Sequence, residues 1–311
     1  MTRVPMKCRV CREPAVIDLR RHNANFCREH FVAHCEEQVR RAIKHFRMIV
    51  PDERVVVAVS GGKDSLALWD LLGRLEIPAD GLYVGLGIDE YSDESHRYAR
   101  EYAQSRGRTL HVVDLAADHG FTIPGAAAAT RRAPCGACGL SKRHVFNQFA
   151  LEHGYDVIAT GHNLDDEAAV LLGNVLHWDL DYLARQHPAL PAAPGFARKV
   201  KPLYRLGERE MAAYCVLERI DYQVEECPMA AGNRHLGYKE TLNDLEARSP
   251  GTKAAFLFGF LERAHERIGP GDGETGDGVE LHPCPSCGAP TPGEVCAFCR
   301  LRERAIPVTA S

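Results

Sequence analysis

Two groups of residues in this sequence are arranged for chemistry: a glycine-rich run, Ser60-Gly61-Gly62-Lys63-Asp64-Ser65, and cysteines in closely spaced pairs. Adjacent glycines let a backbone turn tightly and aim successive N–H groups at one point, which suits an anion. The β-branched run 54–59 precedes the glycines and a helical pattern follows them, so the positive end of that helix adds to the cradle. Asp64 or Ser65 is placed to cap the helix. The run is not a Walker A loop, because Lys63 is followed by Asp64, and it is not a G-x-G-x-x-G fingerprint. A second run, Gly161-His162-Asn163-Leu164-Asp165-Asp166, offers a glycine for close backbone approach, Asn163 or Asp165 as a helix cap, and carboxylates in a first turn. Carboxylate oxygens suit a hard ion such as Mg²⁺.

The chain has 12 cysteines. Cys8, Cys11, Cys27 and His30 follow a C-x2-C-x15-C-x2-H pattern, and Cys284, Cys287, Cys296 and Cys299 follow C-x2-C-x8-C-x2-C. Four borderline-soft ligands at such spacings close a tetrahedral site, so two structural Zn²⁺ ions are expected, each stabilising a module too small to fold on apolar burial alone. Cys135 and Cys138 form a further pair, and Cys227 lies alone in Glu225-Glu226-Cys227-Pro228. These thiols fit an open metal or cluster site, a redox pair, or a third zinc with a distant ligand, and spacing does not choose among them. Cys35 and Cys215 fall within helical apolar patterns and read as core thiols.

The elements that must position these residues are legible in outline. At about 150 residues per domain, 311 residues allow roughly two domains. The hydrophobic fraction of 45% and charged fraction of 26% are those of an ordinary folded protein. No apolar run nears the ~18 residues of a membrane helix, and the N-terminus lacks a signal-peptide core, so no membrane association and a cytoplasmic location are expected. The net charge is −4, yet residues 1–50 carry eleven Lys/Arg against five Asp/Glu, a basic arm that suits a polyanion. Strand-like runs at 54–59, 81–88, 109–115, 155–160, 199–203 and 221–224 alternate with helical patterns at 64–75, 93–106, 140–153, 163–176 and 208–219. Such alternation predicts an α/β fold with a doubly wound parallel sheet, whose ligands sit at the carboxyl ends of the strands. Residues 177–197 read as an irregular loop and 269–280 as a glycine-rich linker. The expected division is an N-terminal zinc module and helix over 1–47, a nucleotide-binding domain over 48–268, the linker, and a zinc ribbon over 281–311.

The SGGKDS run resembles the PP-loop of the ATP pyrophosphatases, with their adenine nucleotide alpha hydrolase-like fold. In that family ATP is split between its α and β phosphates. The resemblance implies that Ser60, Gly61, Gly62, Lys63, Asp64 and Ser65 hold the phosphates. It also implies that the backbones of Ala58, Val59 and Val84 lie against adenosine, and that Gly161 and Asp166 face the nucleotide with its Mg²⁺. The ordered set SGGKDSLALWD, CGACGLSKR, ATGHNLDDEAA and VCAFCR resembles the TtuA-type tRNA 2-thiouridine synthetases. In that group Cys135, Cys138 and Cys227 would hold a [4Fe–4S] cluster with one iron free of protein ligand. Lys142, one helical turn beyond Cys138, would stabilise the adenylating oxyanion, with Asp64 and Asp166 as the other catalytic groups. The implied reaction is ATP-dependent replacement of the C2 oxygen of a tRNA uridine by sulfur. The T-loop uridine 54 is the expected target and the wobble uridine 34 the alternative. The implied partners are tRNA, a ubiquitin-like thiocarboxylate carrier and a second copy of the chain. The alternatives are a non-catalytic zinc-containing tRNA-binding factor, against which the intact Ser60, Asp64 and Asp166 stand, and another adenylating activity, which would not need the Cys135/Cys138/Cys227 set.

Overall fold

The computed structural model describes residues 6–230, 234–268 and 281–306. The chain opens with a hairpin of β1 (Ile17–Leu19) and β2 (Ala24–Phe26), then the long helix α1 (Arg28–His45). The central domain follows as β3 (Val55–Val59), α2 (Lys63–Arg74), β4 (Ala79–Gly85), α3 (Asp89–Ser105) and β5 (Leu110–Asp114). Helices α4 (Leu115–His119), α5 (Ile123–Thr130) and α6 (Pro134–Glu152) lead to β6 (Val157–Thr160) and α7 (Leu164–His177). Then come α8 (Leu180–Arg185), β7 (Ala189–Leu190), β8 (Arg198–Val200), α9 (Glu208–Glu218), α10 (Arg234–Arg248), α11 (Thr252–Arg263) and α12 (His265–Ile268). The last module has β9 (His282–Pro283), β10 (Pro290–Thr291) and α13 (Ala297–Ala305).

Six strands form the main sheet in the order β5-β4-β3-β6-β8-β7, parallel except for β7 against β8. The run Val55-Val-Val-Ala-Val59 is central because each face of a wound sheet is covered by helices and rewards β-branched side chains on both sides. From β3 the chain winds outward through β4 to β5, then returns to lay β6 on the opposite flank of β3. The crevice at such a reversal is where wound sheets bind ligands. The loops after β3 and β6 therefore meet there. Helix α2 is buried from Ser65 to Leu72 because it is covered by α1 and α9 as well as the sheet. Phe298 and Leu301 of α13 join Val84, Leu86 and Ile123 in a second core, so the C-terminal module packs on the β4 and α5 side of the domain.

Several sequence expectations change. Residues 221–224 are not a strand: the Gln223 N–H donates to the Gly61 carbonyl at 3.0 Å, so this segment hydrogen-bonds to the glycine turn instead of the sheet. The stretch 177–197 contains α8 and β7. Helix α6 starts at Pro134, not 140, so Cys135 and Cys138 lie inside its first turns. Proline tolerates a first helical position, whereas Gly136 and Gly139 weaken the sequence signal there. Helix α2 is capped by Gly62 without a side-chain bond, not by Asp64 or Ser65. The 269–280 linker lies outside the described residues. Among the described residues, no helix is long and apolar enough to cross a membrane.

Candidate active site and metal modules

The glycine turn is tied to itself. The Ser60 and Ser65 hydroxyls pair at 3.2 Å, Ser65 Oγ donates to the Gly62 carbonyl at 2.9 Å, and the Ser60 N–H donates to Ser65 Oγ at 3.1 Å. Gly61 has φ +77°, and a β-carbon there would lie 2.2 Å from the Ser95 carbonyl oxygen, so both conformation and space require glycine. Gly161 approaches the same turn from β6: a β-carbon on it would lie 2.8 Å from the Ser65 nitrogen. Asn163 caps α7 by accepting from the Asp165 and Asp166 amides, while Asp166 Oδ2 accepts from the Asn163 N–H at 3.1 Å. The Asn163 side-chain amide also reaches Asp64 Oδ1 at 3.0 Å.

A chain of alternating charges crosses the mouth of this turn. Lys63 Nζ lies 3.2 Å from Asp64 and 2.7 Å from Glu208, and Lys239 Nζ lies 3.3 Å from Glu208 and 2.6 Å from Asp166. Burial raises the Asp64 carboxyl above the ordinary range, against the pull of Lys63. Burial opposes the Lys63 charge, but Asp64 and Glu208 hold its ammonium well above the usual lysine range. Glu208 is lowered by Lys63 and Lys239 in spite of burial. The cavity here measures about 860 Å³, with Gly62, Lys63 and Asp64 on one wall and Arg21, Glu208, Tyr222 and Lys253 on others. Asp165 turns away from the phosphate turn: its Oδ2 accepts from the Glu208 amide at 2.9 Å, and its Oδ1 pairs with Lys253. Val59 and Val84 are buried in the core. Sequence reasoning missed Glu208, Lys239 and Lys253, because single charged residues in amphipathic patterns carry no mark distinguishing them from a solvated face.

The four ligand atoms of Cys8, Cys11, Cys27 and His30 lie within 4.8 Å of one another, as do those of Cys284, Cys287, Cys296 and Cys299. Cys11 and Cys27 sulfurs are 3.7 Å apart, and those of Cys287 and Cys296 are 3.6 Å apart. Sulfurs about 2.3 Å from one tetrahedral zinc sit roughly 3.7 Å apart. Burial opposes ionisation of Cys8, but the Cys11, Cys27 and Val10 amides bring its thiol down to about 6. The Cys296, Ser286 and Cys287 amides do the same for Cys284, also to about 6 against burial. Preformed N–H groups aimed at sulfur are what a thiolate ligand needs.

The structure also brings the third cysteine set together. Cys135 Sγ lies 3.8 Å from the Met229 carbonyl, just beyond Cys227, and Cys138 and Cys227 pack against the same core. Burial pushes the Cys138 thiol up; the Lys142 ammonium opposes this, and the Cys227 and Cys135 thiols add to it. These thiols do not converge as closely as the two terminal sets. The segment 223–227 links this set to the glycine turn through the Gln223–Gly61 bond.

A wound sheet with this self-tied turn at its reversal point defines a PP-loop protein, and residues 34–231 match the PP-loop domain family. Residues 7–32 match the family described as 2-thiouridine synthetase TtuA, N-terminal LIM domain. The chain is 50% identical to the tRNA-5-methyluridine(54) 2-sulfurtransferase of Thermus thermophilus, covering 95% of this chain and 91% of that one. It is 42% identical to the protein of the same name from Pyrococcus horikoshii, covering 95% and 93%. The U34-tRNA thiolase NcsA of Methanococcus maripaludis, solved with its [4Fe–4S] cluster, superposes with a TM-score of 0.77 at 26% identity, over 88% of this chain and 93% of that one. The chain belongs to the TtuA family of 2-thiouridine synthetases.

Proposed function

We propose that the chain replaces the C2 oxygen of uridine 54 in tRNA by sulfur, consuming ATP. The observation that carries this reading is the 223–227 segment, which joins the phosphate-gripping turn to the three-cysteine set. The uridine O2 attacks the α-phosphorus, the bond to the β-phosphate oxygen breaks, and pyrophosphate leaves. A sulfur nucleophile then adds at C2 and AMP departs with the former oxygen. Backbone N–H groups of Gly61 and Gly62 and the Lys63 ammonium stabilise charge on the phosphates. Lys63 and Lys239 are released from Glu208 to meet phosphate oxygens, and Asp64 and Asp166 would hold Mg²⁺. Cys135, Cys138 and Cys227 would hold a [4Fe–4S] cluster, which supplies an iron site able to keep sulfide ionised. Lys142, whose charge reaches the Cys138 thiol, stabilises anionic oxygen formed at the base.

Two zinc ions are assigned to the terminal modules and hold them folded. The division into an N-terminal module, a catalytic domain over 48–268 and a C-terminal ribbon follows that assignment. The sulfur donor is proposed to be a ubiquitin-like protein with a C-terminal thiocarboxylate, and the working unit a homodimer.

Wobble uridine 34 is the second reading, because the superposed NcsA acts there. The higher identity to the uridine-54 enzymes favours the first. Nucleoside mass spectrometry of tRNA from a deletion strain separates them. Loss of 2-thioribothymidine is expected; loss of a wobble thiouridine alone would overturn the assignment to uridine 54.

A further inference from the structure

Three buried polar atoms that lack a hydrogen-bond partner face one another: His22 Nε2, His34 Nε2 and Glu210 Oε1. They come from separate elements. His22 ends the short turn between β1 and β2, His34 lies in α1, and Glu210 sits in the first turn of α9. One ligand atom of each side chain lies within 4.8 Å of those of the other two. His34 Nε2 and Glu210 Oε1 are 3.6 Å apart, longer than a hydrogen bond though within ion-pair reach. Two ligands about 2.0–2.1 Å from a tetrahedral ion sit roughly 3.4 Å apart.

The surroundings hold these groups in place. The other oxygen of Glu210 accepts from Arg21 at 2.6 Å and from the Gly207 N–H at 2.7 Å, which fixes the direction of Oε1. The Phe26 ring stacks on His34 with centroids 5.2 Å apart, and the two imidazoles cross at 71°. The hydrogen bonds on its other oxygen orient the Glu210 carboxylate as a ligating carboxylate is oriented. Arg21 already balances the Glu210 charge, so attraction of a hard cation is weak. Two imidazole nitrogens instead select a transition ion of the zinc type. Glu210 and Arg21 also line the 860 Å³ cavity, while the three candidate ligand atoms themselves are buried behind it.

We propose that His22, His34 and Glu210 form a further metal site, distinct from the three cysteine sets and from the carboxylates at the phosphate turn, for a divalent ion of the zinc class. Bound metal would tie the N-terminal hairpin and α1 to the first turn of α9. That turn carries Glu208, the partner of Lys63 in the phosphate turn. The site would thereby steady one wall of the cavity that Gly62, Lys63 and Asp64 also line.

The test uses the full chain with its cysteine sites loaded, titrated with Co²⁺ and read by visible absorption and metal analysis. One further equivalent should bind, with d–d bands of a nitrogen and oxygen site and no thiolate charge-transfer band. Affinity should fall at least about tenfold in His22→Ala and in His34→Gln, with zinc in both modules unchanged. Absence of the extra equivalent in the unmodified protein would overturn the proposal. An extra equivalent bound equally well by both variants would overturn it too. The unmodified protein decides the first outcome even where a variant fails to fold.

Discussion

Asn163 donates its side-chain amide to Asp64 at 3.0 Å, joining the loop after β6 to the phosphate turn after β3. The same side chain accepts from the first amides of α7. One buried residue therefore holds a helix start and a carboxylate of the site in a single arrangement. Removing it loosens both.

Asn163→Ala should cost about 1–2 kcal/mol of stability, the size of a lost helix cap. Pyrophosphate release should fall more steeply than stability, because Asp64 loses its orienting donor. Denaturant unfolding and a pyrophosphate assay check the two effects. Unchanged turnover in the folded variant would contradict this role.

The raised Asp64 carboxyl gives a pH signature. Burial is the main cause, with Lys63 opposing and Asp166 adding. A carboxyl raised in the folded state favours folding while protonated, at pH below the ordinary aspartate range. That contribution is lost as pH rises through the raised value. Mg²⁺ binding needs the ionised form. Stabilisation of the protein by Mg²⁺-ATP should therefore grow with pH across the mildly acidic range. Thermal melts with and without nucleotide measure it, and Asp64→Asn should flatten the trend.

Asp70 is a buried carboxylate that accepts from Tyr102 at 3.1 Å and Tyr214 at 2.6 Å. It also pairs with Arg74 at 3.0 Å and Arg106 at 3.3 Å. Asp70→Ala strands these donors beneath α2 and α9. The expected loss is about 1–3 kcal/mol, the cost of leaving the two buried hydroxyl donors unpaired, since Arg74 and Arg106 are each more than a third exposed and reach water. A guanidinium unfolding midpoint near that of the parent would refute it.

Cysteine replacements should separate the metals. Cys135→Ala and Cys227→Ala should lose iron, its visible absorption and thiolation while keeping zinc in the terminal modules. Cys8→Ser and Cys284→Ser should each lose one zinc equivalent and keep iron. Elemental analysis of anaerobically purified protein reads both. Retained iron in Cys135→Ala would remove the cluster assignment.

Much of the site was legible because its chemistry is local. In the turn 60–65, adjacent residues supply the amides, and the glycine types report the backbone shape directly. Cys8 with Cys11 and Cys284 with Cys287 chelate through short spacings, so their order in the chain already constrains geometry. Tertiary structure decided what distance in sequence conceals. Glu208 and Lys239 become the counter-charges of Lys63 and Asp166 only when α9 and α10 close over the turn. Residues 221–224 leave the sheet because the carbonyl of Gly61 offers Gln223 a bond there. His22, His34 and Glu210 likewise come together only because the N-terminal module docks on α9. Backbone conformation follows from neighbouring residue types, whereas a charge or an imidazole acquires its role from whatever packing sets beside it.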